Sequence, residues 1–183
     1  MVRTSSSHPL EIATIELASG GAIGVTFCPG KKDDGALTGS WDRDLDQDIE
    51  AIARWGAQDV VTLLEAHEFD LLGVSDLGAS VVAKGMKWHH APIKDVSTPG
   101  AMFDAIWQAE GASLRKRLRE GGRIVVHCRG GLGRAGTIAA LLLVELGVCA
   151  ADDAIRIVRK VRPGSIQTVT QERYVRTRAI VDD

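Results

Sequence analysis

At 183 residues, with 45% hydrophobic and 25% charged residues, the chain is long enough to bury a substantial core as one domain without cross-links. A net charge of −2 gives no general affinity for nucleic acid or anionic membranes, although Arg and Lys concentrate between Arg115 and Arg178. Three widely spaced cysteines, Cys28, Cys128 and Cys149, suit reduced thiols better than a disulfide framework or a zinc site.

The opening MVRTSSSHP has neither the apolar core nor the cleavage site of a signal peptide. No run approaches the roughly 18 apolar residues of a membrane span. The expectation is therefore a cytoplasmic monomer with no membrane partner, its residues 1–9 forming a flexible tail. Leu10 to Glu16 and Ile23 to Phe27 alternate in polarity around Gly20-Gly21 and read as a β-hairpin. The turn-rich CPGKKDDGALTGS follows, a length typical of functional surfaces.

Leu45, Ile49, Ile52 and Trp55 recur at helical spacing, which predicts a helix over Trp41–Trp55 stopped by Gly56. Asp59–Leu64 reads as a buried strand, and short helical patterns cover Glu65–Leu72 and Asp76–Lys84. Lys87–Ile93 is a further strand, and His89-His90 within it reads as strand rather than a metal site. The loop KDVSTPG leads to a helix over Ala101–Arg119 with Gly111 as a potential break. After the strand Arg123–Val126 the pattern is helical only: Arg134–Leu146, Ala151–Val161, and a third segment capped near Thr168. Strands alternating with helices imply an α/β domain with a mostly parallel central sheet flanked by helices. Ligands of such sheets bind beyond the carboxyl ends of the strands, here beyond Cys128.

That strand runs into HCRGGLGRAGT, His127 to Thr137. Gly131-Leu132-Gly133-Arg134-Ala135-Gly136 formally matches the G-x-G-x-x-G dinucleotide fingerprint. The fingerprint needs a second strand and an acidic residue about 20 positions on, whereas only helical patterns follow here. A nucleophile loop explains more of the residues. Three glycines among the five residues between Cys128 and Arg134 let successive N–H groups turn inward around a tetrahedral anion. The helix starting near Arg134 adds its positive end, and the arginine a fork matched to two phosphate oxygens. Helix N-termini and nearby cations bring reactive cysteines to pKa values of roughly 3.5–7.5, where the nucleophilic thiolate is populated.

At these residues the sequence resembles the cysteine-dependent protein tyrosine and dual-specificity phosphatases, whose signature is His-Cys, five residues, then Arg. Rhodanese sulfurtransferases have a similar loop one residue shorter. Phe27-Cys28-Pro29-Gly30, Trp55-Gly56-Ala57-Gln58-Asp59, His89-His90-Ala91-Pro92-Ile93 and Ile166-Gln167-Thr168 extend the likeness to the cyclin-dependent-kinase-associated phosphatase branch, over residues 20–178.

The resemblance implies a single catalytic domain, residues 1–183, with a protein tyrosine phosphatase-like fold and no metal or cofactor. Its substrate would be a phosphorylated protein. By the same token Cys128 attacks phosphorus, Arg134 with the loop residues Arg129, Gly130, Gly131, Leu132 and Gly133 holds the phosphoryl oxygens, and His127 supports the loop. Asp95 in PIKDVSTP matches the general acid, Gln167 a water-positioning glutamine, and Gln171 a supporting one. Arg129, beside the nucleophile, either favours acidic substrates or is a solvated rim residue. Ala135 departs from the Ser or Thr that most relatives carry after the arginine. In some relatives a second cysteine traps the oxidised nucleophile, but nothing in the sequence places Cys28 near Cys128. A phosphatase for a small metabolite or phosphoinositide, and a silent phosphate-binding module, are the competing readings.

Overall fold

The computed structural model describes residues 2–36 and 39–183. Its centre is a five-stranded sheet of β1 (Ala13–Glu16), β2 (Ala22–Phe27), β5 (Asp59–Thr62), β6 (Lys87–His90) and β7 (Arg123–Cys128), in the order β1-β2-β7-β5-β6. Only β1 runs antiparallel to its neighbour, so the expected hairpin and the mostly parallel sheet are both present. The central β7 lies between β2 and β5, buried except at Arg123.

Side chains alternate across β7. Ile124, Val126 and Cys128 face a core completed by α4 (Ala101–Arg119), α5 (Gly133–Glu145), α6 (Ala151–Val161) and α7 (Val169–Arg176). Val125 faces the opposite core, built with α1 (Leu45–Trp55) and α3 (Leu77–Ala83). All 13 residues of α5 are buried, as expected of a helix apolar all round.

Three elements differ from the sequence expectation. α1 begins at Leu45 rather than Trp41, because the Asp44 carboxylate accepts the Gln47 N–H at 2.7 Å and caps the helix. Trp41 and Asp42 instead form β4, paired with β3 (Lys32–Asp33) in a small two-stranded ribbon. Gly111 does not break α4; a Cβ there would meet the Trp107 indole at 3.0 Å and the Arg115 guanidinium at 2.9 Å. The expected turn-rich loop Cys28–Ser40 includes residues 37 and 38, which lie outside the described residues. In the segment expected as a tail, Ser5 is buried, its N–H-accepting hydroxyl 2.9 Å from Asp44 N, and Arg3 bridges to Trp41.

Candidate active site

β7 delivers Cys128, 3% exposed, to the carboxyl edge of the sheet, and the chain turns over four residues into α5. The turn requires glycine at 131: φ is +66°, and a Cβ would lie 2.4 Å from the Thr26 carbonyl carbon. Gly133 leaves room for the Gln167 side chain, since a Cβ there would sit 2.7 Å from Gln167 Oε1 and displace it. Among the described residues, no protein acceptor takes the N–H groups of Arg129 to Leu132. These donors and the N-terminal end of α5 make the loop an anion cradle.

Arg134, in the first turn of α5, is 2% exposed. Its two terminal nitrogens donate to Glu68 at 2.6 and 2.8 Å, and one also lies 2.9 Å from Asp95 Oδ1. The carbonyls of Leu63 and Ile93 accept further bonds at 3.3 and 3.1 Å. Nε is buried and has no partner in the protein. Burial opposes the guanidinium's charge, yet the Glu68 bonds and the proximity of Cys128 and Asp95 carry its pKa above the ordinary arginine value. Burial likewise works against the Glu68 carboxylate, but Arg134 and the Glu65 N–H hold it below its usual range.

The cleft above the loop has a volume of about 540 Å³, and Cys128, Arg129, Leu132, Arg134, Asp95 and Gln167 contribute to its lining. Gly130 and Gly133 also reach it, whereas Gly131 turns toward the Thr26–Phe27 backbone. Asp95 stands on the loop after β6, its backbone N–H donating to Glu65 at 3.2 Å. Gln171 is fully buried behind the cleft. Its oxygen accepts the N–H groups of Gln167 and Thr168 at 2.8 and 3.2 Å, and its Nε2 donates to the Ser97 carbonyl at 3.1 Å. Gln171 thereby ties the entrance of α7 to the Asp95 loop. The residues beside Asp95 and Gln167, Val96 and Ile166, are β-branched at φ +58° and +57°, conformations such side chains rarely adopt.

His127 faces away from the cleft, 2.8 Å from Thr62 Oγ1, and burial pushes its pKa down to about 3. Arg129 is a partly exposed rim residue but not a free one: Asp33 of β3 holds its guanidinium through two bonds of 3.0 and 2.9 Å. Cys28 lies on the strand end adjacent to Cys128, but the register pairs Phe27 with Cys128, so Cys28 faces the opposite core. Burial raises the Cys28 thiol pKa. Among the described residues, no group of three or more His, Cys, Asp or Glu side chains is arranged to hold a metal ion.

Sequence reasoning did not single out Glu68, Asp33 or Arg162. Glu68 had a detectable signal, because Glu65 and Glu68 have the spacing of a helix capping box. Arg162 donates to the carbonyls of Gly131 and Gly130 at 3.2 and 3.5 Å and braces the loop from outside.

Residues 34–175 match the family described as Swiss Army Knife protein, DSP-PTPase phosphatase domain. The chain belongs to this phosphatase family. Mouse (Mus musculus) cyclin-dependent kinase inhibitor 3 is 32% identical over 134 residues, 73% of this chain but 62% of that protein. The chain thus matches less than two thirds of the length of the curated relatives it resembles. The crystal structure of kinase associated phosphatase, with its catalytic-site cysteine replaced by serine, superposes with a TM-score of 0.78 at 28% identity, covering 91% of this chain and 92% of that one. Tk-PTP in its active form shares the fold, with a TM-score of 0.64 at 23% identity over 85% of this phosphatase domain and 92% of that chain. No helix among the described residues of the phosphatase domain is long and apolar enough to cross a membrane.

Proposed function

We propose that residues 1–183 form one catalytic domain that hydrolyses phosphate monoesters on proteins, on tyrosine and/or serine and threonine, through a cysteinyl-phosphate intermediate. The observation that carries this reading is the partnerless, buried Nε of Arg134 beside a loop of unspent N–H groups at Cys128. Buried donors without partners are costly, and a phosphoryl dianion satisfies them together.

In the first step the Cys128 thiolate attacks phosphorus. The P–S bond forms as the ester P–O bond breaks, and Asp95 gives its proton to the departing oxygen. The dianion competes with Asp95 for Arg134, which frees the carboxyl group to face that oxygen. In the second step water positioned by Gln167 attacks phosphorus, the P–S bond breaks, and Asp95 takes the water's proton. Arg134 and the N–H groups of Arg129 to Gly133 hold the equatorial oxygens in both steps. His127, tied to Thr62 on the neighbouring strand, supports the strand end that carries Cys128, and Gln171 fixes the Gln167 backbone. A phosphoprotein is the favoured substrate class because the names of similar proteins couple them to kinases.

Release of nitrophenol from p-nitrophenyl phosphate tests the reading. Wild-type protein should turn over in the presence of EDTA, and Cys128→Ser should not, while still binding inorganic phosphate. Near wild-type hydrolysis by Cys128→Ser would exclude the mechanism.

A further inference from the structure

Four cations reach the cleft, and their partners separate them. Arg134 is held by Glu68 and Asp95, Arg129 by Asp33, and Arg162 by the loop carbonyls. Lys31 is the exception. It is 4% exposed, lines the cleft, and among the described residues forms no salt bridge. Its three donors have one long hydrogen bond, 3.5 Å to the Arg129 carbonyl. The ammonium is steadied by ring faces, 4.7 Å from the Trp41 centroid and 5.3 Å from that of Phe27.

A buried ammonium of this kind lacks the anion that would compensate its lost hydration. Burial lowers the Lys31 pKa more than Asp33 and Cys28 restore it, and Arg129 and Arg43 lower it further. The neighbouring acids are committed elsewhere. Asp33 is spent on Arg129, Asp48 binds Arg43 at 2.7 and 2.8 Å, and Glu11 is an exposed residue of the cleft wall. The Phe27 and Trp41 rings, centroids 5.2 Å apart, both pack against the Lys31 ammonium.

We propose that Lys31 is a second anion-binding position in the catalytic cleft, so that preferred phosphopeptides carry another acidic group, carboxylate or phosphate, next to the phosphorylated residue. The proposal rests on the phosphatase reading above and specifies its substrate. The cleft, at about 540 Å³, has room for more than one phosphoryl group. Lys31 is a specificity residue here, since the two-step mechanism gives it no part in making or breaking a bond.

The test compares two phosphotyrosyl peptides that differ only in flanking residues, all alanine or with aspartate on each side. Wild-type kcat/KM should favour the acidic peptide by about tenfold or more, the range expected for one charge-assisted hydrogen bond. Lys31→Met should bring the ratio to within about twofold of unity, and Lys31→Arg should retain most of it. Lys31→Gln repeats the measurement should methionine disturb the Phe27–Trp41 packing. The same ratio of Kd values, measured calorimetrically on Cys128→Ser, separates the two claims. A Lys31-dependent binding preference without any wild-type turnover overturns the phosphatase reading alone. No preference in wild-type, or one unchanged by Lys31→Met, overturns the proposal. A Lys31-dependent preference for p-carboxyphenyl phosphate over phenyl phosphate, with none among the peptides, overturns the peptide assignment in favour of a small substrate.

Discussion

The Asp95 carboxylate lies 2.9 Å from the Arg134 guanidinium, so the candidate acid and the candidate phosphate ligand are in direct contact across the cleft. Glu65, accepting the Asp95 N–H, and Gln171, donating to the Ser97 carbonyl, hold the Asp95 loop in this closed position. Asp95→Asn should therefore leave the loop closed but remove the transferable proton. Hydrolysis of alkyl and unactivated aryl phosphates should fall by about 10²–10⁴-fold, and that of p-nitrophenyl phosphate far less. A plot of rate against leaving-group pKa in both enzymes checks this; equal losses along the series would make Asp95 a structural residue only.

Glu68 is the principal partner of Arg134, and both are buried. Removing one side of a buried ion pair costs about 3–5 kcal/mol, because the other charge stays behind. Glu68→Ala should approach that loss in urea denaturation, and Glu68→Gln should lose less. Both should also raise KM for aryl phosphates, since the guanidinium is no longer held at the correct angle to the loop. A stability loss with unchanged KM would limit Glu68 to folding.

His127 gives the fold an acid sensitivity with a defined sign. Its folded pKa, about 3, lies below the unsupported value of 6.5, so the unfolded chain takes up the proton first. The stabilising contribution is complete above about pH 6.5 and is lost progressively down to about pH 3, with a slope of up to about 1.4 kcal/mol per pH unit. Asp59 and Glu68, both held below their usual values by cationic partners despite burial, add a further loss under more acidic conditions. Denaturant midpoints measured from pH 7 to pH 5 should fall in wild-type protein and fall less in His127→Gln. Parallel curves would assign the slope to other groups.

Ala135 is fully buried directly after Arg134, at the position where the family pattern has a serine or threonine hydroxyl. The nearby Thr137 hydroxyl is engaged elsewhere, donating to the Gly133 carbonyl at 2.7 Å. A hydrogen bond to the departing thiolate is worth about 1.5–3 kcal/mol, roughly ten- to a hundredfold in rate if fully expressed in the transition state. Breakdown of the phosphoenzyme should then limit turnover of good leaving groups and give a pre-steady-state burst. Ala135→Ser should shrink the burst and raise the steady rate in rapid-mixing experiments. Absence of a burst in wild-type, with no gain in the variant, would show that Ala135 is no handicap.

What could be read from the sequence was local. The alternation over Ile23–Phe27 and Arg123–Val126, and the helical spacing within Leu45–Trp55, record burial patterns set by neighbours a few residues away, and the corresponding elements are present. The loop from Cys128 to Arg134 was legible because its chemistry is contiguous. Its supports were not. Glu68 and Asp33 reach Arg134 and Arg129 across separations of 66 and 96 residues, and each looks like an ordinary polar residue in its own segment, whereas Gln171, 74 residues from Ser97, was indicated by the family resemblance alone. The β3–β4 ribbon escaped for a related reason, since strands of two residues carry no periodicity.

The complete burial of α5 has a consequence for how such a domain can change over time. Tilting that helix would open voids on every side at once, so the loop it anchors tolerates little variation and its chemistry is effectively frozen. The β3–β4 ribbon, Lys32–Asp33 with Trp41–Asp42, lies outside the main sheet, yet Asp33, Trp41 and the adjoining Lys31 line the same cleft. Exchange of this short segment among relatives offers a route to new substrates with the catalytic step left intact, and laboratory selection for altered specificity should start there.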